Sequence, residues 1–196
     1  TYNESKRKGF AAVETVETGK TVLMIPNAAG VFYDAGYHWA GNAISDLARR
    51  YKLKSIKDGR FNPDNNILRE DCIKLIFDIM GADYGNDVSE MARKSGLTQY
   101  IGSDSIRAFA TREEVAWMAG RLYEMKSGKK AEGSVDVKQY SDWKLANPAA
   151  LKAVQFMLEN GAMSAKDGTR LGLKDSMTRA ETAVILHKVL SLAGDL

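Results

Sequence analysis

Three short runs of one pattern recur along the chain: Leu68-Arg69-Glu70-Asp71, Thr111-Arg112-Glu113-Glu114 and Thr178-Arg179-Ala180-Glu181. Each places Arg second and an acid fourth, and each opens an apolar stretch with helical spacing. Such a chain reads as an array of like units, in which each unit presents an apolar helix face for its neighbours to cover.

Alignment on the arginines tests the repeat. Positions +4, +7 and +11 hold Ile73, Ile76 and Met80, then Ala116, Ala119 and Tyr123, then Ala183, Leu186 and Leu190. Positions +6 and +10 hold Leu75 and Ile79, Met118 and Leu122, and Ile185 and Val189. All fifteen are apolar or aromatic, which makes a wide stripe of period 3.6. A second helix is expected before each: over residues 40–51 (Ala43, Ile44, Leu47, Ala48), over 148–159 (Ala153, Val154, Met157), and more weakly at Val88, Met91 and Ala92 ahead of Gly96. Asp58-Gly59 and Asp167-Gly168 mark turns. Residues 126–139 are polar and glycine-bearing and read as a linker. Residues 1–30 differ: two runs rich in Val, Thr and Ile flank Glu17-Thr18-Gly19-Lys20, the pattern of a β-hairpin.

The arginines stand where a cation is locally disfavoured. Thr111 and Thr178 each precede a Glu by three residues, the spacing of a capping box, so Arg112 and Arg179 fall at the first helical position. The first run has Leu68 instead, and its cap is expected from Asn65, Asn66 or water. A cation there opposes the helix dipole by about 0.3–1 kcal/mol. Two readings account for its recurrence. An external carboxylate or phosphate would meet free amides, the dipole and a bidentate guanidinium together. Alternatively, the arginines pair with internal carboxylates and hold units together. Spacing alone supports both.

Composition narrows the classes. Net charge is +3 with a pI near 8.8, too mild a balance to suggest nucleic acid. No apolar stretch is long enough to span a bilayer. The one cysteine, Cys72, excludes an internal disulfide, and Ile73, Leu75 and Ile76 beside it suggest a small buried hydrophobe. His38 and His187 form no ligand set, and no nucleophile elbow or phosphate loop is present, so neither a metal, a cofactor nor catalysis is indicated. Trp117 reads as a packing residue, and Glu113 and Glu114 as caps and solvated charge. Thr1-Tyr2-Asn3 reads as the cut end of a longer chain, with no signal peptide visible.

These residues together resemble the S-layer homology domain, usually found as three tandem copies. The first copy matches at Phe32-Tyr33-Asp34, His38-Trp39-Ala40, Asp58-Gly59-Arg60-Phe61-Asn62-Pro63 and Ile67-Leu68-Arg69. The third matches at Tyr140-Ser141-Asp142, Glu159-Asn160-Gly161, Lys166-Asp167-Gly168 and Met177-Thr178-Arg179-Ala180-Glu181. The second has Thr111-Arg112-Glu113-Glu114 without a clear aromatic-x-Asp opening, and Tyr84 stands in place of the expected Trp. Ala149 takes the Trp position of the third copy, since Trp143 falls too early, next to Asp142.

The resemblance implies a mainly α fold of three helical units in a pseudo-threefold arrangement, preceded by the hairpin. The units are expected over 31–82, 83–126 (degenerate) and 140–192, with the hairpin over 1–30 and a linker over 127–139. It also implies an extracellular, non-enzymatic anchor that binds a pyruvylated secondary cell-wall polymer, at the cell wall or in an S-layer. The alternative is a structural, self-associating module whose arginines make only internal ion pairs. The implied ligand residues are Asp34, Trp39, Arg69, Tyr84, Arg112, Asp142 and Arg179. Asp34, Trp39 and Arg69 are expected to share one groove. Arg69 is expected to matter most for binding and Arg112 least.

Overall fold

The computed structural model describes residues 11–14, 21–24, 32–85, 87–99 and 106–196. Two four-residue strands, β1 (Ala11–Glu14) and β2 (Thr21–Met24), pair antiparallel with Ala11 opposite Met24. The turn expected at Glu17–Lys20 lies outside the described residues.

Among the described residues six helices follow: α1 (Gly41–Arg50), α2 (Arg69–Met80), α3 (Val88–Lys94), α4 (Arg112–Ser127), α5 (Pro148–Glu159) and α6 (Arg179–Ala193). A short 3-10 turn covers Trp143–Leu145. Helices α2, α4 and α6 begin at the three arginines. Their apolar stripe is buried throughout except at Met80, which is partly covered. The other helices pack in a cyclic order: α1 against α6, α3 against α2, and α5 against α4. Each leading helix therefore covers the arginine-led helix that belongs to a neighbouring run. Helix α4 also packs on α6 and on α2.

The centre of the molecule is a closed cycle of backbone hydrogen bonds. Ile67 N–H donates to Met177 C=O (2.9 Å), Met177 N–H to Ala110 C=O (3.0 Å), and Ala110 N–H to Ile67 C=O (2.9 Å). Those residues stand two before Arg69, Arg179 and Arg112, and all three are buried. Isolated β-bridges run beside the cycle: Asn66 with Thr178, Leu68 with Phe109, and Thr111 with Ser176.

The first two amides of each arginine-led helix are also satisfied across the cycle. Arg69 and Glu70 donate to Ala108 and Ile106; Arg112 and Glu113 donate to Asp175 and Leu173; Arg179 and Ala180 donate to Asn65 and Pro63. Helix starts carry unsatisfied N–H groups that must find partners. Here neighbouring backbone carbonyls supply them, so α2 needs no side-chain cap from Asn65 or Asn66. The capping box is complete at α6, where Thr178 Oγ1 accepts from Glu181 N–H (3.1 Å) and the Glu181 carboxylate accepts from Thr178 N–H (2.9 Å).

The segment expected as a linker is a packed strap. Ala131 and Val137 are buried. Gly133 N–H donates to Lys152 C=O (3.1 Å), and Gln155 Nε2 donates to Val135 C=O (2.7 Å). A Cβ on Gly133 would lie 2.2 Å from Phe156 N. Glycine is required there by close approach to α5.

Two outcomes follow in denaturant unfolding. Leu186→Ala lowers stability by about 2–5 kcal/mol, the cost of a cavity at a fully enclosed site. Gly133→Ala, in a polar and glycine-bearing segment, also lowers the midpoint, whereas a true linker would tolerate it.

Candidate functional site

The site begins with the Phe32-Tyr33-Asp34 opening. Phe32 packs against Phe61 at 5.4 Å between ring centroids. Asp34 accepts the N–H of Phe61 (2.9 Å) and of Asn62 (2.7 Å) on its two carboxylate oxygens. Asn62 has φ of 54°, a left-handed conformation that asparagine tolerates better than most residues. The carboxylate thus fixes a tight loop and sets the position of the Phe61 carbonyl. Arg179 Nε donates to that carbonyl at 2.6 Å, and its guanidinium lies over the Phe61 ring at 5.1 Å. Asp142 repeats the construction, accepting from Leu171 N–H (2.8 Å) and Gly172 N–H (2.7 Å), while Leu171 C=O accepts from Arg112 Nε (3.0 Å). Asp34 therefore works with Arg179 and Asp142 with Arg112. The expected pairing of Asp34 with Arg69 is corrected: sequence neighbours within one run serve different junctions.

The acid in each run meets the arginine of another. Arg69 forms a bidentate pair with Glu114, Nε to Oε2 at 2.9 Å and Nη2 to Oε1 at 2.7 Å, and both residues are buried. Glu114 Oε2 also accepts Thr111 N–H (2.9 Å). Arg179 Nη1 donates to Asp71 at 3.2 Å. Arg112 instead binds neutral partners: besides Leu171 C=O, Nη2 donates to Ser164 C=O (2.8 Å) and Nη1 contacts Met177 sulfur (3.6 Å). Burial lowers the pKa of Arg112 and of Arg179, opposed at Arg112 by Glu181 and Asp175 and at Arg179 by Asp71 and Asp34.

Of these arginines, Arg179 faces a cleft of about 500 Å³. Its walls include Lys57, Arg60, Asn62, Asn65, Asp71 and Phe109. Nη2 of Arg179 has no acceptor among the described residues. The cleft thus presents three cationic side chains and one carboxylate, with asparagine amides and an aromatic ring between them. The first helical amides are not part of it, because Arg179 N–H and Ala180 N–H already donate to Asn65 and Pro63. The reading in which free helix amides receive an anion is therefore corrected.

The remaining candidates stand elsewhere. Trp39 is 66% exposed beside α1, outside the cleft lining. Its neighbour His38 contacts Asp64 at 3.1 Å, which ties the start of α1 to the loop that forms one cleft wall. Tyr84 stacks on Phe77 at 5.8 Å near the end of α2, and burial raises its hydroxyl pKa. That is a packing position, and Tyr84 is not among the hydrogen-bonding partners of Arg69, Arg112 or Arg179 described above. Glu113, expected as solvated charge, is buried, accepts Asn147 N–H (2.9 Å) and pairs with Lys174. Trp117 Nε1 donates to Gly96 C=O (3.1 Å). Phe109, Arg60 and the asparagines are the cleft residues that helical spacing does not reveal, since they precede the helices.

Arg69→Ala leaves a buried glutamate without its partner and lowers stability by about 3–5 kcal/mol; calorimetric melting measures the loss, and Arg69→Met with Glu114→Gln recovers part of it. Cys72 is fully enclosed and burial pushes its thiol up to about 12. It therefore stays unmodified by iodoacetamide at pH 8 until denaturant is added.

Comparison with known proteins adds three findings. The chain is 26% identical over 216 residues to an amylopullulanase of Thermoanaerobacterium thermosulfurigenes, an alignment that covers 100% of this chain and 11% of that protein. It is 25% identical over 199 residues to exoglucanase XynX of Acetivibrio thermocellus, covering 91% of this chain and 18% of that protein. The chain thus spans only a small part of the length of these relatives. Residues 31–72, which carry Asp34, the Phe61 loop and Arg69, match the S-layer homology domain.

Proposed function

We propose that this chain is a non-catalytic module that holds a larger extracellular protein to the cell wall by binding an acidic wall polysaccharide, and that the Arg179 cleft is its binding site. The observation that carries the proposal is the unoccupied Nη2 of Arg179 in an open cleft whose other nitrogens are already fixed by Phe61 C=O and Asp71. A guanidinium held in this way is preorganised for a carboxylate. A pyruvate ketal on a sugar offers one carboxylate, and the asparagine amides match hydroxyl and acetamido groups. The S-layer homology match supports wall attachment. The relatives are named for catalytic activities, and this chain aligns with a small share of each, which supports assigning catalysis to other parts of such proteins. The three arginine-led runs are taken as three units of one domain.

A second reading has its own observation. The Arg69–Glu114 pair is closed and buried, and Arg112 is engaged at all three nitrogens. Those two arginines fit a structural role in holding units together. The proposed order of effects on binding is therefore Arg179 first, with Arg69 and Arg112 acting through stability.

Co-sedimentation with purified wall sacculi tests this. The chain pellets with intact sacculi and stays soluble once the secondary polymer has been removed. Arg179→Ala weakens binding about tenfold or more, the scale of one charge-assisted hydrogen-bonded pair. Arg112→Ala at matched folded fraction changes it little. Equal pelleting with stripped sacculi would overturn the glycan reading.

A further inference from the structure

We infer that Phe109 is the stacking platform for the sugar ring held in the Arg179 cleft, so that the site is a composite of all three arginine-led segments. The inference rests on the glycan reading above. Phe109 belongs to the segment before α4, Asp71 to α2 and Arg179 to α6, yet all three line one cleft. The ring is 52% exposed, an unusual state for phenylalanine when the next residue, Ala110, is fully buried.

Its backbone is pinned on every side. Phe109 pairs with Leu68 in a β-bridge, Ala110 N–H donates to Ile67 C=O at 2.9 Å, and Ala108 C=O accepts Arg69 N–H at 2.9 Å. Alternation along this extended segment sends Ala110 inward and Phe109 outward into the cleft. The aromatic face is therefore presented rigidly, at little conformational cost on binding. The corresponding residues of the other two runs, three before the arginine, are Asn66 and Ser176, which offer no such face.

The occupant follows from the chemistry of the walls. Lys57, Arg60 and Arg179 against Asp71 select an anion. Asn62 and Asn65 are exposed and supply neutral donors and acceptors. A flat apolar ring beside them suits the C–H face of a pyranose. Together these fit a saccharide bearing a carboxylate.

The test uses the full chain and a pyruvylated disaccharide fragment, followed by titration calorimetry and thermal melting. Phe109→Ala weakens the fragment about tenfold, while Phe109→Trp retains affinity and gains an emission shift on binding that the parent chain lacks. Both variants melt with the parent, because the ring is half in solvent. Retained affinity in Phe109→Ala, with loss in Arg179→Ala, would overturn the stacking role and leave the glycan reading standing. No binding of the fragment by the parent chain would overturn the glycan reading itself. Equal competition by an acidic peptide would overturn the saccharide assignment.

Discussion

Three backbone hydrogen bonds, from Ile67 to Met177, Met177 to Ala110 and Ala110 to Ile67, are what the rest of this structure depends on. They solve a problem that every helix start presents: donors without acceptors in a place water cannot reach. The cycle brings each helix start against the segment before the next one. The first two amides of α2, α4 and α6 then find carbonyls at like offsets from the neighbouring arginine. No one of these helices is complete alone. The cyclic packing of α1 on α6, α3 on α2 and α5 on α4 extends the same dependence to the core.

The cycle also explains the arginines. A cation at the first helical position opposes the dipole. With the amides already bonded, the guanidinium extends across the junction, where the acid two residues along the next helix awaits it. Arg69 meets Glu114 and Arg179 meets Asp71. For Arg112 the corresponding Glu181 is held by Thr178, and the arginine turns to carbonyls instead. The Arg-x-acid spacing is thus first a device that joins one arginine-led helix to the next. At Arg179 the shorter Asp71 makes one hydrogen bond where Glu114 makes two, and the second terminal nitrogen of this cleft-lining arginine has no acceptor among the described residues. One methylene fewer in the acid separates a closed pair from a proposed binding group.

This division shows what the sequence made legible. Spacing forward from Arg69, Arg112 and Arg179 located three helices and their buried faces, because burial imposes a 3.6-residue period. Spacing backward carries no period. The segments ending at Ile67, Ala110 and Met177 are extended and loop-like, and their partners come from distant parts of the chain. Phe109, Arg60 and the asparagines are invisible to helical pattern for that reason. Asp34 and Arg69 lie within one stretch of chain, yet the loop that Asp34 fixes meets Arg179. Tyr84 carried the right chemistry, but Phe77 beside it offers a packing partner that local pattern does not weigh. The strap over 127–139 reads as loose because what it offers α5 is mostly main-chain groups, met by Lys152, Gln155 and Glu159 of that helix.

Backbone bonds also account for how unlike the three runs are. A hydrogen bond between main-chain groups requires only that the donor not be proline. Isoleucine, alanine and methionine therefore serve equally in the cycle, with leucine or threonine before the arginine. The side-chain features vary much more: an aromatic-x-Asp opening is clear before α2 and α6, whereas α4 lacks one. The architecture constrains the polypeptide path tightly and the side chains at the junctions loosely. Each junction is then open to a different use from the same path. One is closed by a bidentate pair, one is filled by carbonyls and a methionine sulfur, and one opens onto a cleft with an arginine on its wall. Inequivalence among the three junctions is the expected consequence of a fold whose closure is made by main-chain atoms.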